Sequence, residues 1–467
     1  MEKVFKEVGK QLVLAGPVSL VTLSQISLQM ISLMFIGHND GELALAGASM
    51  ATAFAAATGY YVLVGATSAL DTLCGQLFGA KLYLTLGIQL QRAVIFSSTC
   101  SILISIIWAN ATPILISMHQ DHQISQEAGR YLLLLIPSSF AFGFLQCFRS
   151  FLQNQNIVYP MVLSSLVATP IHIFCCWILV SKSGLGSSGA ALATSVSYWV
   201  NALCLALFIK FSSSCKRTWN GFSKQALRNF LPYVKLAMPS VLMECFKTWA
   251  FELLIIFSGF LPNPMLETSV QSICLNTFGL LWSIPAGLMA STSVRVGNEL
   301  GAKNLQAAHF AIGMVLVMVI MEGLVVGVIV VLLRKMWAGL YSNDKNVTSI
   351  VASLMPFIAM SCFVNGFETV LSGIFRGCGW QKKGVYLNLA AFYFVGVPCQ
   401  VTFAFVLHMK AKGLWLGMIV AFVVDIVFFL IIIIRTNWDK EVAKAENRVK
   451  KYSNFGELAL DQNVSSN

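Results

Sequence analysis

The chain has 467 residues, of which 57% are hydrophobic and only 11% charged, and its mean hydropathy of +0.74 is far too apolar for a soluble protein of this length. Its formal charge is +11, yet the basic residues cluster in the segments between apolar runs. They read as determinants of membrane orientation, and nucleic acid is not an expected partner.

A membrane-spanning helix needs about 20 mostly apolar residues. Twelve such runs occur, at about 12–36, 48–72, 93–116, 128–148, 158–180, 189–211, 234–259, 268–294, 309–333, 347–373, 385–408 and 413–435. With a cytoplasmic N terminus, 23 of the 31 Lys and Arg fall on the cytoplasmic side, seven outside, and one, Lys247, inside the membrane. Both termini are then cytoplasmic. The start, "MEKVFKEVGK", is charged and runs into the first apolar stretch with no small-residue cleavage site, so the first helix is expected to be retained. Asn110-Ala111-Thr112 and Asn346-Val347-Thr348 match the glycosylation pattern and fall on the predicted outer side.

The chain contains an internal repeat. "LAGP" at 14–17 returns as "LAMP" at 236–239, "GQLFGAK" at 75–81 returns as "GNELGAK" at 297–303, and Gly65 matches Gly287, all at an offset of 222 residues. A duplicated unit of six spans starts both halves on the same side, which makes them parallel repeats with a pathway expected between them. The predicted organisation is an N-lobe over 1–211, a basic cytoplasmic linker over 212–233, a C-lobe over 234–435 and a cytoplasmic tail over 436–467. In the tail, Trp438, Val442, Ala445, Val449 and Tyr452 share one helical face, as in an amphipathic surface helix; a solvated tail is the alternative.

Enzyme chemistry finds little support. The six His are dispersed, His119 and His122 share a loop without further ligands, and the 12 Cys are scattered in apolar segments without a C-x-x-C pair. No phosphate-binding G-x-x-x-x-G-K-[ST] occurs. No metal or cofactor is expected, and a secondary transporter is the reading that remains. Pro137, Pro170, Pro285, Pro356 and Pro398 fall inside predicted spans, where each frees a carbonyl and permits a bend.

"GHNDGELALAG" (37–47), "SALDTLCGQLFGAK" (68–81), "RVGNELGAK" (295–303), "FRGCGWQKKGVYLNLAAFYFVGVP" (375–398) and "AKGLWLG" (411–417) resemble the plant branch of the multidrug and toxic compound extrusion (MATE) family, in order and in both halves. The resemblance implies an all-α integral membrane protein, with twelve transmembrane helices in two six-helix lobes set as a V around a central cavity. It also implies antiport of small organic solutes (secondary metabolites, xenobiotics, organic cations) against protons or sodium, in the plasma or vacuolar membrane. A monomer is expected, with membrane lipid as its surroundings.

In the family the C-lobe cation site is built on a Glu of the seventh span, in a pattern like "CLEWWxFE", and an Asp of the tenth, in a pattern like "xDG". The matching stretches here are "CFKTWAFE" (245–252) and "VNG" (364–366), which put Lys247 and Asn365 at those positions and keep Glu252. A charge at mid-span costs roughly 3 kcal/mol on insertion scales and needs a partner. Glu244, one turn before Lys247, and Glu368, one turn after Asn365, are the candidates. Three readings stay open: coupling through a rearranged Lys247, Glu244 and Glu368 set, an uncoupled or differently coupled carrier, and a purely structural ion pair.

Gln25 and Gln29 on the first span, Asn276 and Trp282 on the eighth, and Asn388 and Tyr393 on the eleventh are candidate cavity residues, because amides and aromatic faces suit planar, partly cationic solutes. Asp71, at the end of the second span, is a candidate cytoplasmic gate or salt bridge. Glu322 and Asp425, mid-span in the ninth and twelfth, are candidates for a polar pathway. A lipid flippase of related architecture and an integral-membrane enzyme are the competing functional classes.

Overall fold

The computed structural model describes residues 1–228, 230–341 and 345–464, with side chains except at 265, 341 and 452–464. The chain is helical almost throughout. In order, the long helices are α1 (Glu2–Asn39), α2 (Gly41–Gly79), α3 (Tyr83–Ala109), α4 (His122–Asn154), α5 (Tyr159–Lys182), α6 (Gly186–Phe211), α7 (Leu231–Ser258), α8 (Pro264–Gly301), α9 (Leu305–Tyr341), α10 (Lys345–Cys378), α11 (Gln381–Val406), α12 (Lys410–Arg435) and α13 (Trp438–Val464).

Among the described residues, eleven helices are long and apolar enough to cross a membrane. The twelfth expected span, α7, has the length at 28 residues but carries Lys235, Glu244, Lys247 and Glu252. In hydrocarbon every backbone amide must be bonded within its own segment, so the apolar runs fold as helices. Pro17, Pro137, Pro170, Pro239, Pro285 and Pro356 lie inside helices. Pro398 sits in a short α segment of α11 between two π-helical stretches, Leu389–Gly396 and Thr402–Val406. The wider turns accommodate the missing amide.

The contacts divide the chain into two compact units. The first unit joins Met1–Ser19 to Cys245–Leu300 and Asn304–Ala443. Glu7 accepts two bonds from Arg295, at 2.8 and 2.9 Å, and Gln11 donates to the carbonyl of Ala311 at 2.8 Å. An aromatic core of Phe251, Phe278, Phe392, Trp415 and Phe422 ties α7, α8, α11 and α12 together.

The second unit joins Leu20–Glu244 to Gly301–Lys303 and the chain from Lys444 onward. Its core includes Tyr60, Trp108, Phe142 and Tyr198. Arg92 is buried and donates to the carbonyls of Gln225, Ala226 and Arg228, which fastens the segment between α6 and α7 to α3.

The repeat reappears as packing. An added Cβ at Gly65 would lie 2.5 Å from Cα of Val241, and one at Gly287 would lie 2.4 Å from the carbonyl oxygen of Ala15 and 2.2 Å from Oγ of Ser19. Ser19 and Val241 are themselves 222 residues apart. The two glycines make the same close approach, one in each unit, to the equivalent stretch of α7 or α1.

The apolar face of α13 turns toward protein. Ala445 is buried, Trp438, Val442 and Val449 are half-buried, and Trp438 packs on Trp380 and His309. The side chain of Tyr452 lies outside the described residues. Glu446 pairs with Lys303 and Lys450 at 2.9 and 2.8 Å.

Candidate functional site

Lys247 lies in the middle of α7, where its side chain is 16% exposed while that of Glu368 on α10 is fully buried. The Lys247 ammonium is ion-paired with Oε2 of Glu368 and also donates to Oγ1 of Thr369 at 3.3 Å. The same carboxylate oxygen accepts from Nδ2 of Asn365 at 3.2 Å. Lys247 is held by α10 and not by Glu244 on its own helix. Positions 365, 368 and 369 share one face of α10 through i, i+3 and i+4 spacing, which is why Glu368 and Thr369 meet the ammonium together while Asn365 supports the carboxylate.

A further acid completes this cluster. Asp425 on α12 is fully buried, neither of its carboxylate oxygens has a hydrogen-bond partner, and it interacts electrostatically with Glu368 and Lys247. One ammonium thus faces two buried carboxylates. Two buried acids that share one base cannot both stay ionised without a cost of several kcal/mol for the unpaired ion.

Beside it, Tyr393 on α11 donates to the carbonyl of Phe246 at 3.1 Å and packs its ring edge-on against Phe246. Asn388 is buried on α11. Trp282 shares a niche with Phe278 and Pro285 on α8, Glu322 on α9, and Cys362 and Asn365 on α10. Asn365 therefore borders both the ion pair and the niche. Asn276 is exposed on α8 and does not line that niche.

The remaining candidates belong to the other unit. Asp71 accepts from Oγ of Ser150 at 2.6 Å and from Nδ2 of Asn154 at 3.3 Å, so it clamps α2 to the end of α4. Gln25 and Gln29 are half-buried on α1, and Nε2 of Gln25 has no hydrogen-bond partner. His172 is buried among Ser32, Ser197 and the carbonyl of Leu28. Among the described residues no three His, Cys, Asp or Glu are grouped to hold a metal ion.

Thr369 was not legible as a site residue. A hydroxyl one turn after an Asn in an apolar helix reads as a backbone-bonded side chain, and only the arrival of Lys247 from α7 gives it a role. Glu322 and Asp425 stood out as mid-span acids, but their surroundings come from helices far away in the chain.

A polytopic helical chain with a duplicated architecture and a buried charge cluster at mid-span is a membrane transporter in its class. The family model described as MatE matches residues 17–178 and 239–402, once in each half. Protein DETOXIFICATION 16 of Arabidopsis thaliana is 51% identical over 456 residues, covering 98% of this chain and 94% of that protein. Protein DETOXIFICATION 15 of the same plant is 48% identical over 98% of this chain and 94% of its own length. The crystal structure of the eukaryotic MATE transporter AtDTX14 superposes with a TM-score of 0.92 at 40% identity, covering 96% of this chain and 99% of that one. The chain belongs to the MATE family. It is an integral membrane transporter with the family's two-lobe helical fold, and not an enzyme.

Proposed function

We propose that this protein is a secondary transporter that extrudes or sequesters small organic solutes by alternating access on the solute's own gradient, with coupling to protons or sodium lost where Lys247 and Asn365 stand at the positions of the family's carboxylates. The observation that carries this reading is the ion pair of Lys247 with Glu368, flanked by Asn365. An ammonium on a side chain is a tethered cation: it neutralises Glu368 and never leaves. A proton or sodium ion arriving at that carboxylate must displace a covalently attached competitor. The distribution of basic residues supports cytoplasmic termini, and the family resemblance is what suggests a plasma or vacuolar membrane. The reading is of a monomer, and nothing in it calls for a lipid substrate.

The test is solute efflux from proteoliposomes with and without an imposed pH gradient, for the parent and for a Lys247→Glu, Asn365→Asp double variant. The parent is expected to run on the solute's own gradient alone and the double variant to respond to pH. A parent that already responds overturns the claim and moves the coupling proton to Glu368 or to Asp425, the fully buried carboxylate beside it. Absence of efflux from the parent for every organic solute tried would remove the transport reading itself.

A further inference from the structure

The segment 212–228 between α6 and α7 carries only two short 3-10 turns, Ser213–Cys215 and Lys224–Ala226, yet side chains from α3 and α4 fix its course. Gln91 on α3 donates to the carbonyl of Gly221 at 2.8 Å and accepts from the backbone N–H of Ser223 at 2.8 Å. Oγ1 of Thr218 donates to Oε1 of Gln155, just past the end of α4, at 2.8 Å. Gly87 on α3 lies tight against the same stretch, since a Cβ there would be 2.6 Å from the carbonyl oxygen of Thr218. The three bonds from Arg92 complete the attachment. Cys215, Thr218, Gln225 and Ala226 are buried by it.

The residues left outside combine two properties. Arg217, Lys224 and Arg228 are exposed, and their side chains make no ion pair or hydrogen bond among the described residues. Six Lys and Arg fall between positions 210 and 235, and no Asp or Glu occurs between Glu127 and Glu244. The patch therefore has one sign. It is also apolar: Phe222 is 91% exposed and Leu227 68%, and Phe211 and Leu231, at the adjoining ends of α6 and α7, are 70% and 60% exposed. Phe222 follows Gly221, whose φ of +88° is a conformation that glycine adopts without strain.

Exposed large apolar side chains among cations mark a surface for a partner. A nucleic acid or an acidic peptide would answer the charge and leave Phe222 and Leu227 in water. A bilayer surface answers both, because its head groups supply negative charge and the acyl boundary takes the apolar side chains. The segment leaves one span and enters the next, so that surface is the one within reach.

We propose that 212–228 is a docking surface for anionic phospholipid head groups of the leaflet from which it emerges. Arg217, Lys224 and Arg228 hold the anionic groups, and Phe222 and Leu227 enter the head-group layer. The distribution of basic residues makes this the cytoplasmic leaflet, the one rich in anionic lipid. The surface belongs to the second unit, and its role is independent of what the protein transports.

The test offers the full chain, purified in detergent, equal amounts of phosphatidylserine and phosphatidylcholine, and counts retained lipid by native mass spectrometry. Parent protein should prefer phosphatidylserine. The Arg217→Gln, Lys224→Gln, Arg228→Gln variant should lose affinity for it, about fivefold for each charge removed, with phosphatidylcholine retention unchanged. A Lys3→Gln, Lys6→Gln, Lys382→Gln variant removes the same charge from other exposed positions on the predicted cytoplasmic side and should keep the preference. Immersion is read in nanodiscs from a bimane label at Asn220→Cys, the native cysteines being buried or half-buried and the parent serving as the labelling blank. Phosphatidylcholine with a nitroxide high on its acyl chain should quench the label, more strongly with phosphatidylserine present, and Phe222→Ser should lose that added quenching.

Equal loss of preference in the two triple variants would make net charge the cause, and an unquenched label in the parent would put the segment in water. Either result overturns the proposal. So does binding of soluble polyglutamate that the first triple variant abolishes while its lipid retention stays unchanged, which would mark an acidic protein as the partner.

Discussion

Lys247 on α7 and Glu368 on α10, 121 residues apart in the chain, form a buried ion pair at the level where a charge is most costly. Removing one partner of such a pair strands the other, which typically costs about 3–5 kcal/mol, whereas replacing both with uncharged groups is close to neutral. Lys247→Met should therefore lower the melting temperature of the detergent-purified protein sharply. The Lys247→Met, Glu368→Gln double variant should recover most of the loss. Equal instability of single and double variants would show that the pair contributes little beyond its packing.

Asp425 offers the opposite expectation. Its two oxygens are buried without a partner, and an unsatisfied buried polar group costs about 1–3 kcal/mol. Asp425→Val should raise the melting temperature while reducing solute efflux, the trade expected where a site is held against stability. A drop in melting temperature would mean that Asp425 has a partner in the membrane, such as a bound cation.

The glycines of the repeat can be tested as a pair. Gly65→Ala and Gly287→Ala push a methyl group against backbone atoms at 2.5 and 2.4 Å. Overpacking of this kind costs about 1–3 kcal/mol. Gly313 on α9 has open space around it, and Gly313→Ala should be stabilising by up to about 1 kcal/mol through helix propensity. Thermal shift measured on the three variants side by side checks the contrast.

Arg92 holds the segment after α6 by donating to three carbonyls. Arg92→Met should cost roughly 1–3 kcal/mol and should speed limited proteolysis within 212–228. Arg92→Lys should rescue only in part, because a single ammonium cannot reproduce the guanidinium fork. Unchanged cleavage in Arg92→Met would show that the segment is held by other contacts.

The tail has a defined acid dependence. Hydrogen bonds from Lys450 and Lys303 hold the Glu446 carboxyl down at about 2. A depressed carboxyl stabilises the folded state above its ordinary range and loses that contribution as pH falls through the depressed value. Attachment of α13 through Glu446 should be constant above about pH 5 and weaken steadily toward pH 2. A spin label at Asn447 would report this as rising mobility. Glu446→Gln should abolish the dependence, while leaving the contact weaker at neutral pH.

Much of this protein could be read from residues alone. Hydrocarbon admits only internally bonded backbone, so apolar runs of sufficient length declare themselves as spans; α8, α9, α10 and α12 cover their predicted runs, and α11 stops at Val406, just short of the end of its run. The offset of 222 residues revealed the repeat, because duplicated helices need duplicated close approaches and only glycine permits them at positions 65 and 287. Lys247 announced itself as needing a partner, since a mid-span ammonium cannot stand alone. Which carboxylate would answer was a question of rotation and depth between helices, which carry no local signature. Glu244 and Glu368 were equally available on paper, and the packing of α7 against α10 chose Glu368. The same packing brought Asp425 to the pair, and placed Glu322 in a niche with Trp282 and Phe278 rather than in contact with a base. Periodicity tells which residues share a helix face; only the tertiary structure decides which faces meet, because that choice is made by side-chain volumes and charges spread over the whole bundle.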